Sequence, residues 1–347
     1  MHFKREIPVA SGVYRPLNTK RYIVTTMGGF WPVVQKLPDG RLGVVTRDGD
    51  FHIGERGRLT WLTSPDGGES WSHASVISDE GPDNRNPAFG VAPDGTLVAT
   101  FIKADRYGSG QYDRSFDILT PLYMCRSKDG GETWTKPEVV DWLGPGQSAV
   151  GSPFGRMITL ANGDLLMGIQ ATGDPTKAYV IRSRDNGRTW IEPTLIADKL
   201  NEFSICDLGD DRLLVVARVD DGQALWQTES DDGGYRWSEP HAIPGIGPQE
   251  HPPDVIKLSD GRLLMTYGRR VPPYGVQGIV SVDDGKTWDI ANKLFLVGDG
   301  GNRDCGYPSS VQRDDGTIVT VYYAWDIVDD PRMGVHAAAI HYRPEDL

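Results

Sequence analysis

Apolar residues in this chain gather in short runs, and six of those runs are entered through one kind of turn. The turns read Pro38-Asp39-Gly40-Arg41-Leu42, Pro93-Asp94-Gly95-Thr96-Leu97 and Ala161-Asn162-Gly163-Asp164-Leu165, then Gly209-Asp210-Asp211-Arg212-Leu213, Ser259-Asp260-Gly261-Arg262-Leu263 and Asp314-Asp315-Gly316-Thr317-Ile318. Asp-Gly or Asn-Gly between apolar runs is the strongest short hairpin signal. Each turn therefore predicts an antiparallel hairpin, with one strand running into the turn and the other returning from it.

A second pattern, S-x-D-x-G-x-x-W, alternates with the first. Its copies begin at Ser64, Ser127, Ser183, Ser230 and Ser281 and end at Trp71, Trp134, Trp190, Trp237 and Trp288. The serines lie 63, 56, 47 and 51 residues apart, a period in the range of a propeller blade. Ser and Asp suit hydrogen bonds to nearby backbone N–H groups, Gly suits a positive φ, and Trp opens the next strand. The expected fold is all-β: one six-bladed β-propeller of four-stranded antiparallel blades over residues 1–347, its inner turns at Asp39, Asp94, Asn162, Asp210, Asp260 and Asp315. The sixth blade lacks the second turn. After Asp315 only Gly334–Tyr342 remains as a strand-like run, so a strand near Tyr22–Thr26 or Gly12–Tyr14 must close that blade or leave a free edge.

Length alone would suggest about two domains, but the repeat fills all 347 residues without a linker. Aliphatic and aromatic residues make up 38%, and 42 glycines bring the apolar class into the ordinary globular range. A formal charge of −12 argues against nucleic acid or anionic membrane as partners. No stretch approaches a transmembrane length. Three cysteines, Cys125, Cys206 and Cys305, suit a reducing compartment, and no signal peptide is visible after Met1. A cytoplasmic location is expected, or secretion if a leader has been removed.

Eight residues from each inner-turn Asp, either way, the hairpin ends meet about 26 Å from the turn. Repeated round the axis, those ends form a mouth of the kind where propellers bind ligands. Before the turns stand Trp31, Asn86, Phe154, Glu202, Pro252 and Tyr307. One residue earlier stand Phe30, Arg85, Pro153, Asn201, His251 and Gly306, and after the turns Arg47, Ile102, Gln170, Arg218, Gly268 and Tyr323. Arg47, Arg85 and Arg218 make this mouth cationic inside an acidic protein. That points to a carboxylate-bearing ligand, which guanidinium grips bidentately.

The repeat resembles the "Asp-box", or bacterial neuraminidase repeat, of the sialidase superfamily over nearly the whole chain. Two segments extend the resemblance. Asn201-Glu202 through Arg218 looks like the stretch holding the catalytic Glu and an arginine of the carboxylate-binding triad, and Gly306-Tyr307 through Ile318 looks like the one holding the catalytic Tyr. The resemblance implies Tyr307 as nucleophile and Glu202 as its base, since a phenol approaches an anionic sugar without the repulsion a carboxylate would meet. It implies an acid in the loop after Arg47, where Asp50 is the choice and His52 and Glu55 are rivals. Three positions depart from the pattern. Phe30 stands in place of the first triad arginine, and Tyr323 in place of the Glu that supports it. No arginine lies between Tyr274 and Val280, where the third is expected, and Arg269 and Arg270 are the nearest substitutes.

Structural alternatives stand beside these roles. Arg218 could serve as the ion-pair partner of Glu202, Arg85 could brace the Asp83–Pro87 turn, and Asp304 could belong to a surface turn. His251 reads as a loop histidine, because no His/Asp/Glu set has metal spacing. No metal or cofactor is expected. The expected function is an exo-acting, retaining glycoside hydrolase acting on a terminal acidic sugar, not restricted to ordinary sialic acid, in a glycan or sugar-acid glycoside. Tyr307, Glu202 and Asp50 are catalytic in this reading, and Arg218, Arg47, Arg85, Arg270, His251 and Trp31 bind substrate. The alternatives are a non-catalytic glycan-binding propeller and a polysaccharide lyase.

Overall fold

In a computed structural model of the chain, which describes residues 1–7, 19–104, 121–144, 150–171, 175–219, 224–327 and 330–347, every inner turn closes a hairpin. Five close the same way. The glycine N–H donates to the carbonyl three residues back, as from Gly40 to Leu37 (2.9 Å), and the turn carboxylate or amide accepts the N–H two residues on, as Asp94 does from Thr96 (2.9 Å). The exception is the turn without Gly at its third position. There Gly209 pairs directly with Arg212, and Asp210 and Asp211 both take left-handed φ values of 54° and 59°, which matches the strand twist.

Each S-x-D-x-G-x-x-W copy forms a self-contained knot. Ser183 Oγ accepts the Gly187 N–H (2.9 Å) and donates to Asp185 Oδ1 (2.8 Å), while Asp185 takes the N–H groups of Arg188 and Thr189. The sheet register fixes where these knots sit. Ser64, Ser127, Ser183, Ser230 and Ser281 pair with Leu42, Leu97, Leu165, Leu213 and Leu263, each just beyond an inner turn. The knots thus lie at the turn end, and the opposite hairpin ends carry the candidate mouth.

The regular elements of the described residues are strands apart from one short 3-10 turn, Pro344–Asp346. Strands Gly28–Lys36, Leu42–Asp48, Arg58–Ser64 and Ser75–Ser78 make one four-stranded antiparallel sheet, and the pattern recurs along the chain in a propeller-like arrangement. The inner strands of these sheets, such as Leu42–Asp48 and Leu263–Arg269, are buried on both faces. Val98 and Met124 pack on Leu165 and Met167, Leu166 and Val180 on Leu213 and Val215, and Leu214 and Val216 on Leu263 and Met265. Val44 and Leu62, near the start, pack on Val319, Val321 and Ala339, near the end. Strand Lys20–Thr26 pairs antiparallel with Asp330–Tyr342, the closure expected at Tyr22–Thr26; the Gly12–Tyr14 option lies outside the described residues. Fully buried Arg21 locks that strand, donating to both oxygens of Asp299 (2.6 Å each) and to Tyr322 Oη (3.1 Å).

Two features of the inner strands were not expected. The third is broken, because Gly155 takes φ +68° and Gly155–Arg156 leaves its own hairpin to pair in parallel with Ala88–Phe89 next door. The inner strands also bulge at their mouth ends, with register shifts between Phe30 and Val33, Arg85 and Ala88, Leu200 and Phe203, Glu250 and Pro253, and Gly306 and Ser309. In three of them the bulged residue is left-handed, namely Trp31 (φ 50°), Asn86 (φ 53°) and Tyr307 (φ 48°), and proline follows each. Proline lacks the ladder donor and keeps its predecessor out of the α region, so the ladder breaks there and the side chain is re-aimed.

Candidate active site

The re-aimed residues bring the chemistry together. Tyr307 Oη donates a hydrogen bond to Glu202 Oε1, although 105 positions separate them, and Arg218 Nη1 donates to Glu202 Oε2 (2.9 Å). Arg270 lies over the Tyr307 ring, its guanidinium carbon 5.2 Å from the centroid. Its Nε and Nη2 are buried with no hydrogen-bond partner among the described residues. Trp31 (6.3 Å), Phe154 (5.7 Å) and Tyr323 (5.7 Å) enclose the tyrosine ring.

These contacts set the protonation states. Burial pushes the Glu202 carboxyl up, but Arg218, the Tyr307 hydrogen bond and Arg270 overcome it and hold the carboxyl below the usual glutamate range. Burial and the Glu202 charge push the Tyr307 phenol well above its ordinary value. A neutral phenol therefore faces an ionised carboxylate that can take its proton. His251 is buried next to this cluster. Burial, then Arg270 and Arg218, push it down to about 3, so it is a neutral imidazole, and its Nδ1 has no partner among the described residues.

The remaining arginines do something else. Arg47 is fully buried and all its donors are used. Its Nε and Nη2 meet Asp83 Oδ1 (2.6 Å each), Nη1 meets the Asp50 (3.2 Å) and Phe51 (2.7 Å) carbonyls, and Nη2 meets the Gly54 carbonyl (3.2 Å). It has nothing left for a ligand, so the expected substrate contact becomes a clamp on the 50–54 loop. Arg85 lies over Trp31 (4.9 Å) and 3.5 Å from Asp83, which fits the bracing alternative.

The expected acid, Asp50, is turned to its own loop. Oδ1 accepts the Phe51 N–H (2.9 Å) and Oδ2 the Arg56 N–H (3.1 Å). His52 instead sits against Trp31 (5.0 Å, edge to face), with Nδ1 2.8 Å from Asp304 Oδ1. Asp304 also accepts Tyr323 Oη (2.6 Å) and Trp325 Nε1 (2.7 Å), too many partners for a surface turn. Phe30 and Tyr323, which depart from the sialidase pattern, pack on each other at 5.3 Å. One aromatic pair thus fills the place expected of an arginine and its glutamate.

Sequence reasoning missed one further group. Arg156, on the broken strand, reaches across the axis to Asp254 (2.7 Å) and the carbonyls of Ser310 and Val255. No local signal pointed to it, because Gly155 reads equally as a residue within a hairpin. Among the described residues no group of His, Cys, Asp and Glu could hold a metal ion.

A family model described as "BNR repeat-like domain" matches residues 63–320. The chain is 23% identical to a sialidase of Micromonospora viridifaciens over 80% of this chain and 48% of that protein, so it spans about half the length of this curated relative. Among solved structures it is similar to a protein of unknown function from Dyadobacter fermentans DSM 18053 (21% identity, TM-score 0.78, covering 95% of this chain and 99% of that one). It is also similar to the Hadza microbial sialidase Hz136 (21%, TM-score 0.74, 93% and 67%).

Proposed function

Given that the chain belongs to the BNR repeat-like family, within the sialidase superfamily, we propose that it is an exo-acting glycoside hydrolase that releases a terminal acidic sugar with retained configuration. Six blades complete the ring in this reading. One observation carries the proposal: a neutral phenol and an ionised carboxylate share a hydrogen bond, and a guanidinium holds the other carboxylate oxygen. Tyr307 attacks the anomeric carbon as its proton passes to Glu202, and water later displaces the tyrosine, so two inversions give retention. Arg218 and the donor-rich Arg270 hold the anionic group, and the neutral His251 offers a hydrogen bond to a sugar hydroxyl. Trp31 lines the pocket. With Phe30 and Tyr323 in place of an ion pair, the substrate differs from an ordinary sialoside; each lost guanidinium contact costs about 1.5–3 kcal/mol.

Steady-state assays on a panel of sugar-acid glycosides test the proposal. Tyr307→Phe and Glu202→Gln are expected to lower kcat by roughly 10²–10⁴-fold. Undiminished turnover in both removes the mechanism. The Phe30–Tyr323 pair favours a second reading, a glycan-binding propeller without catalysis. Calorimetric binding with no product from any glycoside selects it.

A further inference from the structure

We propose that His52, oriented by Asp304, is the group that protonates the leaving oxygen and later activates water, in place of a carboxylic acid. The inference rests on the glycosidase reading above and supplies the acid/base that Asp50, turned to its own loop, does not.

Three observations converge on His52. Its ring is fixed on three sides: Trp31 (5.0 Å) and Phe30 (5.7 Å) pack edge to face against it, and Asp304 Oδ1 takes Nδ1 at 2.8 Å. Asp304 is itself held by Tyr323 and Trp325, so it cannot swing away. Burial pushes its carboxyl up, but the hydrogen bond and charge of His52, with the bonds from Tyr323 and Trp325, hold it at about 2. An ionised carboxylate on Nδ1 fixes the tautomer and turns Nε2 away from it, the orienting role a carboxylate plays beside catalytic histidines. Nε2 carries no hydrogen bond among the described residues and is left for the substrate. Finally, Arg47 clamps the carbonyls of Asp50, Phe51 and Gly54 on both sides of His52, so the loop is preorganised by a buried cation.

The placement suits a leaving group. Trp31 contacts both His52 (5.0 Å) and Tyr307 (6.3 Å), and Asp304 touches Tyr323, whose ring lies 5.7 Å from that of Tyr307. The neighbouring Phe51 is 66% exposed and stacks on Trp325 at 6.0 Å, an apolar platform at the rim. In the first step the imidazolium Nε2–H passes its proton to the glycosidic oxygen as the C–O bond breaks. The Tyr307 Oη–C bond forms, the phenol proton goes to Glu202, and the alcohol departs. In the second step neutral His52 takes a proton from water as that oxygen attacks the anomeric carbon. Tyr307 leaves and regains its proton from Glu202, returning every group to its starting state.

The test compares two glycosides of one sugar acid. An aryl glycoside needs little help from an acid, whereas an alkyl glycoside needs a proton to leave. His52→Gln is expected to lose about 10²–10⁴-fold in kcat/KM on the alkyl glycoside and less than tenfold on the aryl one, with added azide giving a glycosyl azide. Asp304→Asn is expected to show the same split more weakly, and Tyr307→Phe to lose both substrates. Equal loss on the two glycosides by a folded His52→Gln, or the split appearing in Asp50→Asn instead, overturns the dyad and leaves the glycosidase reading in place. Absence of wild-type turnover on either glycoside overturns that reading, and the dyad with it.

Discussion

At the scale of the residue, the site works by opposing burial with charge. Burial alone would raise the Glu202 pKa, and Arg218 is the strongest influence opposing it. The sign of a pH effect follows. A base with a lowered pKa works above that value and fails as pH falls through it. Removing Arg218 raises the Glu202 pKa, so in Arg218→Gln the acidic limb of kcat/KM should move to higher pH, beyond any uniform loss in affinity. An unmoved limb would show that Arg218 only binds substrate. Tyr307, Glu202 and Arg218 could be read from sequence because each sits at a fixed distance from its own turn. The roles of Arg47, Asp50 and Asp304 could not. Arg47 stands eight residues from its turn, as Arg218 does, and only the Asp83 carboxylate and three loop carbonyls divert it. The His52–Asp304 contact spans 252 positions and leaves no local trace.

At the scale of the element, turns and bulges divide the labour. The turn repeats were legible because Asp, Asn and Gly satisfy their own backbone within four residues, and local chemistry is what a single sequence displays. The S-x-D-x-G-x-x-W knots hold the outer strands far from the mouth. Ser183→Ala leaves the buried Gly187 N–H and Asp185 without their partner, which should cost about 1–3 kcal/mol in denaturant unfolding. Turnover per folded molecule should stay unchanged, and lost activity at unchanged stability would place the knots in the chemistry. The bulges had a signal that went unread, the prolines after Trp31, Asn86 and Tyr307. Left-handed φ at bulky residues costs roughly 1–3 kcal/mol, and here it re-aims Trp31 and Tyr307 at the mouth end of the inner strands. The broken third strand escaped because nothing local distinguishes Gly155 as a departure point from Gly155 in a hairpin.

At the scale of the whole molecule, the ring matters because Tyr307 and Glu202 come from separate hairpins and meet only if closure is accurate. Closure is secured by the antiparallel pairing of Lys20–Thr26 with Asp330–Tyr342 and by the buried Arg21–Asp299 pair. The need for a closing strand followed from the repeat, whereas its ionic lock did not, because Arg21 and Asp299 are 278 positions apart. Beneath the mouth, Arg156 and Asp254 tie the inner strands together across the axis. The central claim is that this assembly makes Tyr307 a nucleophile, and a covalent intermediate is its most direct consequence. Wild-type protein is mixed with the best aryl sugar-acid glycoside, quenched in acid at intervals, and the digest mapped by mass spectrometry. The account predicts one glycosyl residue on the peptide carrying Tyr307, absent from Tyr307→Phe. Turnover with Tyr307 unmodified at every quench time, and a first product of inverted configuration, would contradict it.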